Sequence, residues 1–371
     1  MRIGVPTEVK NNEYRVAAVP ATIDALVRRG HQVYVQSGAG EGARIRDADF
    51  ARAGAEILAS ADEVWAMGDL LLKVKEPIAS EYALLREDQT LFTYLHLAAS
   101  RELTAALCDA GTTAIAYETV QLADRSLPLL APMSEVAGRL SIQAGAYHLM
   151  SAAGGRGVLL GGIPGARKAN VVVIGGGVAG EHAARNALGL GARVTVVDVS
   201  LPRLRQLEAQ IDGIQTRYSS HLAIAELLED ADLVIGSVLI PGATAPKLVT
   251  DEMVARMRPG SVLVDIAIDQ GGCFEGSRPT THESPVFGVY ESLYYCVANM
   301  PGAVPETSTA ALTNATAPYV LAIADKGGSR AMEDDPNLAR GLSTRAGRLT
   351  NAQVGEALDI DAVSVEEALA L

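Results

Sequence analysis

The segment ANVVVIGGGVAGEHAARNALGLGARVTVVDVS, residues 169–200, constrains the fold more tightly than any other feature of the chain. An apolar run, NVVVI, leads straight into Gly175-x-Gly177-x-x-Gly180, then an Ala- and Leu-rich helical pattern, then a second strand, ARVTVVD. In such a strand-turn-helix the first glycine permits a tight turn, the second lets backbone approach a pyrophosphate, and the third lets helix pack close to strand. The helix N-terminus is then aimed at the phosphates. In a chain with 36 glycines a lone glycine motif is weak, and its position between a strand and a helix is what makes it specific. Asp198 ends the next strand, where a carboxylate accepts hydrogen bonds from ribose hydroxyls and disfavours a 2′-phosphate. The expected cofactor is therefore NAD rather than NADP, with Arg203 close enough to weaken that preference. A glycine-rich turn without a ligand is the alternative reading.

The bulk properties set the frame for this motif. At 371 residues two domains with substantial cores are expected, and 49% hydrophobic, 20% charged and 4% aromatic residues describe an α/β protein rich in small side chains. A formal net charge of −13 repels nucleic-acid phosphates, so no nucleic-acid partner is expected. Mean hydropathy is +0.17, yet no run approaches the roughly 18 uninterrupted apolar residues of a membrane span. The opening MRIGVPTEVK lacks the apolar core of a signal peptide, and the expectation is a cytoplasmic protein without a membrane partner. Cys108, Cys273 and Cys296 have neither disulfide nor zinc-ligand spacing and read as buried, reduced thiols; no metal is expected.

Short apolar runs alternate with helical patterns from the start: MRIGVP, ATIDALVRRG, HQVYVQSG, ADFARAGAEIL, DLLLKVK, SEYALLRE, TLFTYLHL, SRELTAALCDAG and TTAIAYET. This alternation implies a mainly parallel, doubly wound sheet. Gly30 and Gly111 fall where helix C-caps belong, and Ser100 where an N-cap belongs. After the helical stretch MSEVAGRLSIQAGAYHLMS a second alternating series runs from ANVVVIGGG to about YYCVANMPG. The long helical pattern from Thr307 could return to the first domain. The fold class is thus α/β with two doubly wound domains: a discontinuous catalytic domain, 1–129 with 307–371, and a central Rossmann domain, 130–306.

Ligands of doubly wound sheets lie beyond the carboxyl ends of the strands. In TYLHL the strand period places Phe92, Tyr94 and His96 on one face, with His96 last. An imidazole there suits proton transfer to a carbonyl oxygen, and a structural histidine is the alternative. DLLLKVKEP puts Lys73 and Lys75 on one face; each either reaches solvent or faces an anion, and spacing does not choose between them. Arg15 closes the polar loop EVKNNEYR, where its planar fork suits a carboxylate or simply lies on the surface. SVLVDIAIDQGGCFE places Asp265 in a buried strand and Asp269 just after it, before Gly271 and Gly272, where a carboxylate could meet a nicotinamide and a reacting water. His182 reads as a packing or surface residue.

Together RVAAVP, LLLKVKEP, FTYLHLA, IGGGVAGEHAA, VDIAIDQGGC, SRPTTHESPVF and YCVANMPGAVPETSTAALTNATAPYV resemble, in order and over nearly the whole chain, the family that alanine dehydrogenase shares with the NAD-binding part of nicotinamide nucleotide transhydrogenase. The resemblance implies a catalytic domain built from both chain ends, a central NAD domain and an active site in the cleft between them. It implies Arg15 and Lys75 as ligands of the substrate carboxylate, and His96 and Asp269 as the catalytic pair. Ser134, Gly175, Gly177, Val178, Gly180, Asp198, Arg203, Ser219, Val238, Leu239, Ile266, Ala267, Ile268, Asp269, Arg278, Val297, Ala298, Asn299 and Met300 match cofactor-contact positions. One departure stands just upstream of VANMPG: Tyr294-Tyr295-Cys296 replaces the expected His-Tyr-Cys, and Tyr294 is assigned no catalytic role.

The activity so implied is the reversible NAD-dependent oxidative deamination of L-alanine to pyruvate and ammonium. The resemblance also implies a homo-oligomer, a hexamer in most of the family. Three rival readings remain: a soluble transhydrogenase component, a related small amino-acid dehydrogenase, and a non-enzymatic NAD-binding module. Against the first, APMSEVAG stands where an Arg, Gln and Asp loop is expected; against the last, His96 and Asp269 are intact.

Overall fold

Strands and helices alternate in the computed structural model, which describes residues 1–238 and 245–371. The chain first forms β1 (Arg2–Val5), β2 (Gln32–Gln36), β3 (Glu56–Leu58), β4 (Leu70–Leu72), β5 (Thr90–Thr93) and β6 (Thr113–Ala116). It continues through β7 (Asn170–Ile174), β8 (Arg193–Asp198), β9 (Gln215–Tyr218), β10 (Leu233–Gly236), β11 (Val262–Asp265), β12 (Val286–Val289) and β13 (Ser292–Tyr295). Near the C-terminus come β14 (Leu342–Arg345) and β15 (Arg348–Leu349). Two units result: Met1–Met133 with Gly302–Leu371, and Ser134–Pro301.

The first unit holds a sheet ordered β15-β14-β6-β5-β4-β1-β2-β3, parallel from β6 to β3 and closed at one edge by antiparallel β14 and β15. The second holds β12-β13-β11-β10-β7-β8-β9, with only β12 antiparallel. Both sheets are doubly wound: chain order runs outward from β1 and from β7, then reverses, placing switch points at β1/β4 and β7/β10. Central strands such as β4 (LLL) and β10 (LVIG) are buried along their whole length, as parallel strands covered on both faces must be. The edge strand β9, QTRY, is polar and partly exposed, which guards it against unwanted pairing.

Punctuation follows the sequence reading. Ser100 accepts the Leu103 N–H at 3.2 Å to cap the helix Arg101–Asp109, and Gly30 and Gly111 take positive φ just after their helices. Three expectations need correction. SEYALLRE forms only a single 3-10 turn, Tyr82–Leu84, because Glu81 turns inward to Lys73 instead of extending a solvent face. Strands β4 and β5 end at Leu72 and Thr93, short of the lysines and of His96. The long helix starts at Pro305, two residues before Thr307, with proline in its first turn. Among the described residues no helix is long and apolar enough to cross a membrane. All three cysteines are free; Cys273 and Cys296 are buried, whereas Cys108 is only partly so.

Candidate functional site

In the Ser134–Pro301 unit the glycine turn joins β7 to the helix Val178–Gly189. Gly175 has φ of +101°, open to glycine at no steric cost. A Cβ on Gly180 would stand 1.8 Å from the Gly175 carbonyl oxygen, so the helix packs on the turn at a distance that only hydrogen permits. At Gly177 a Cβ would meet nothing within 4 Å, leaving open space beside the helix N-terminus. That space, bounded by backbone that cannot carry side chains at Gly175 and Gly180, fits a pyrophosphate.

Asp198, at the end of β8, accepts the N–H of Gly176 at 2.7 Å and of Ser200 at 2.7 Å. Arg203 donates from Nε to the Gly176 carbonyl at 2.6 Å and from Nη1 to Gln206 at 2.6 Å, while Nη2 pairs with Glu181. The matched positions Ser219, Val238, Ile266 to Asp269 and Val297 to Met300 follow the carboxyl ends of β9, β10, β11 and β13, so one edge of this sheet gathers them. Ser134 lies on the helix Ala131–His148, and Arg278 stacks on Phe287 with Cζ 4.2 Å from the ring centre. Leu239 lies outside the described residues. His182 is partly buried, 3.8 Å from Glu135, in keeping with a packing role.

The two aspartates after β11 separate by environment. Asp265 is fully buried and accepts the N–H of Ala267 at 3.1 Å and of Cys273 at 3.0 Å, together with the Ser277 hydroxyl. Burial pushes its carboxyl up against these hydrogen bonds. It therefore holds the 3-10 turn Ile266–Gln270, while Asp269 on that turn is exposed.

The Met1–Met133 unit carries a buried polar cluster at the carboxyl ends of β1, β4 and β5. Arg15, expected either on the surface or on a carboxylate, is 2% exposed. Glu13 takes its Nε at 2.7 Å and its Nη2, and Nη1 points to the Met133 sulfur at 2.9 Å. Burial disfavours the guanidinium charge, but Glu13 outweighs it and raises the pKa above its usual value. The geometry also distinguishes the lysines. Lys73 is fully buried between Glu81 at 2.9 Å and Glu8 at 3.3 Å, and these acids outweigh burial to hold its pKa above the ordinary value. Lys75 is 7% exposed, and its ammonium makes no hydrogen bond and no ion pair within 4.0 Å among the described residues, acting on the Glu76 carboxyl through charge alone.

His96 departs from the expected strand geometry. Its backbone is left-handed, φ 49° and ψ 39°, and Glu118 accepts its N–H at 2.7 Å together with that of Leu95 at 3.1 Å. The imidazole stacks on Tyr94, centroids 5.9 Å apart and planes within 5°, and Nδ1 stands 4.0 Å from Glu118. Tyr94 is itself fixed by donating to the Leu129 carbonyl at 2.6 Å. Burial pushes the neighbouring Glu76 carboxyl up, yet Lys75, His96 and Lys10 outweigh it and hold it below the usual range. The structure thus brings Arg15, Lys75 and His96 to one end of one sheet. Sequence reasoning missed Glu8, Glu13 and Glu118, which fix these groups, and Glu181, which pairs with Arg203; for Glu8 and Glu118, acids just beyond apolar strands, as in IGVPTE and AIAYE, were the available signal.

A doubly wound sheet with this glycine turn, in one chain with a second such sheet whose strand ends carry cations and an imidazole, defines the class of dinucleotide-dependent oxidoreductases. The N-terminal and C-terminal domain models of the alanine dehydrogenase/PNT family match residues 4–137 and 141–352, and the chain belongs to that family. It is 63% identical to the alanine dehydrogenase of Mycobacterium tuberculosis over 361 residues, 97% of each chain. A solved L-alanine dehydrogenase superposes with a TM-score of 0.93 at 50% identity, covering 97% of this chain and 99% of the other. A transhydrogenase from Sinorhizobium meliloti is more distant, at TM-score 0.82 and 27% identity, covering 94% and 100%.

Proposed function

We propose that this chain catalyses the reversible oxidative deamination of L-alanine to pyruvate and ammonium, using NAD. The observation that carries the reading is the uncommitted Lys75 ammonium, which shares the end of one sheet with Arg15 and His96. Its ammonium acts on the Glu76 carboxyl through charge without a hydrogen bond, so its donors stay open to an anion, and the substrate carboxylate is such an anion. Arg15, whose fork is aimed by Glu13, and Lys75 hold that carboxylate.

Bound NAD would supply the acceptor for the hydride that leaves the substrate Cα. Among the carriers of the NAD reading are the open space at Gly177 and the carboxylate of Asp198, with Ser134, Val178, Arg203, Ser219, Val238, Leu239, Ile266, Ala267, Ile268, Arg278, Val297, Ala298, Asn299 and Met300 as further cofactor contacts. Water adds to the resulting substrate imine, and ammonium leaves. His96 exchanges the proton on the carbinolamine oxygen that becomes the pyruvate carbonyl, and Asp269 deprotonates or positions the water, or ammonia in reverse. The sum is alanine, NAD⁺ and water giving pyruvate, ammonium, NADH and a proton.

Purified protein is expected to form NADH with alanine, and His96→Ala to remove nearly all turnover while NAD binding persists. Unchanged turnover in that variant overturns the assignment.

The chain is further proposed to act in the cytoplasm, where its three free cysteines stay reduced, and to assemble as a homohexamer. Exposed Tyr147, Met150, Leu159 and Ile163 support association, and light scattering giving the 38.7 kDa of one chain would exclude it.

A further inference from the structure

Asp198 and Arg203 grip the same residue of the glycine turn from opposite sides. Asp198 Oδ2 accepts the Gly176 N–H at 2.7 Å, and Arg203 Nε donates to the Gly176 carbonyl at 2.6 Å. The guanidinium therefore stands at the corner where, on the NAD reading above, the adenosine ribose meets Asp198. An arginine beside that corner is the group that would accept a ribose 2′-phosphate, so by residue type alone Arg203 should broaden the enzyme toward NADP.

Its hydrogen bonds withdraw it from that task. Nε is held by Gly176, Nη1 by Gln206 at 2.6 Å and Nη2 by Glu181. Glu181 lies in the first turn of the helix Val178–Gly189, and its other oxygen takes Arg185 Nε at 2.9 Å. Both partners are partly buried, with side-chain exposures of 22% for Arg203 and 19% for Glu181, so the pair is less screened than a fully exposed ion pair.

We propose that Glu181 is a cofactor-specificity residue: it neutralises Arg203 and ties it to the glycine turn, so that a 2′-phosphate meets the Asp198 carboxylate without a cation to offset it. This rests on the NAD reading. Asp198 rejects the phosphate by like charge, and Glu181 denies it the remedy. To bind NADP the chain must break the Glu181–Arg203 pair or bring the phosphate to a guanidinium already satisfied.

The test uses the whole protein and nucleotide fragments, without turnover. Wild type, Glu181→Gln, Glu181→Ala, Arg203→Ala and the double variant Glu181→Ala with Arg203→Ala are titrated calorimetrically with 5′-ADP, 2′,5′-ADP and NAD, after thermal melts confirm folding. Freeing one charge-assisted donor set is expected to tighten 2′,5′-ADP by about tenfold in Glu181→Ala and by less in Glu181→Gln, which keeps an acceptor. Affinity for 5′-ADP should stay within about twofold, since the change acts on the extra phosphate alone. The gain should vanish in the double variant, because Arg203 delivers it. Unchanged 2′,5′-ADP affinity in a folded Glu181 variant overturns the proposal, as does a gain that survives removal of Arg203. Wild type preferring 2′,5′-ADP to 5′-ADP overturns the NAD reading itself, and is seen before any variant is compared.

Discussion

The Glu118 carboxylate accepts two successive backbone N–H groups, from Leu95 at 3.1 Å and from His96 at 2.7 Å, and so holds His96 in a left-handed conformation. A non-glycine residue there is strained, and consecutive N–H groups converging on one anion offset that strain. Glu118 thereby sets the direction of the imidazole through its backbone, while Tyr94 sets its plane. Glu118→Ala is expected to lower kcat by about tenfold to a hundredfold, as small misplacements of a reacting group do. It should also cost about 1–3 kcal/mol of stability, from strain left unsupported. Glu118→Gln, which keeps an oxygen acceptor, should fall between. Turnover and thermal melts of both variants decide the matter, and wild-type kcat in a folded Glu118→Ala would dismiss the positioning role.

Lys73 and Lys75 differ in what their removal should do. Lys73→Met leaves Glu8 and Glu81 buried without a counter-ion, and the loss is expected to be about 3–5 kcal/mol in chemical denaturation. Lys75→Met removes a cation that makes no hydrogen bond among the described residues and leaves Glu76 with Lys10, so stability should fall little while KM for pyruvate rises by about tenfold or more. The reverse pattern, with Lys73→Met folded normally and impaired in KM, would transfer the carboxylate to Lys73.

The features visible in sequence were those enforced within a few residues. The glycine turn is one, since Gly175 and Gly180 answer to local backbone geometry and close packing. Strand-helix alternation is another, set by apolar patterning. What escaped depends on partners distant along the chain. β4 gives way where Glu8 takes the N–H of Val74 at 2.6 Å, and β5 gives way where Glu118 takes those of Leu95 and His96. Glu118 lies 22 residues from His96, so no local periodicity announces the left-handed turn. The two lysines share a spacing and differ in their acids. The polar loop of Arg15 left a surface position open, and Glu13 is what makes its burial possible.

Acid stability should depend on Asp232 at the start of β10. It is fully buried and accepts from Arg167 at 2.6 and 2.8 Å and from the Asn170 N–H at 2.9 Å. Burial alone would raise its pKa; the Arg167 and backbone bonds, with Arg156, outweigh it and lower it. The folded value thus lies below the unfolded one of about 3.9, so the stabilisation is complete above that pH and lost as pH falls through the folded pKa. Arg167→Ala should move the acid unfolding midpoint to higher pH, followed by circular dichroism. A midpoint unmoved by Arg167→Ala would show that the pair contributes nothing.

Gly177 and Gly180 separate a ligand requirement from a folding requirement. Gly177 has φ of −65°, which alanine adopts freely, and its Cβ would enter open space, so Gly177→Ala should leave the melting temperature unchanged or slightly higher. The same methyl would stand where the pyrophosphate approaches, and NAD affinity should fall by about tenfold or more, since lost backbone contacts of an anion are worth over a kcal/mol. Gly180→Ala places its methyl 1.8 Å from the Gly175 oxygen, and the helix must shift. That variant should lose about 1–3 kcal/mol as well as NAD binding, as overpacked sites do. Melting and NAD titration of the two variants side by side provide the check. Wild-type NAD affinity in Gly177→Ala would mean that the pyrophosphate lies elsewhere, whatever Gly180→Ala does to the fold.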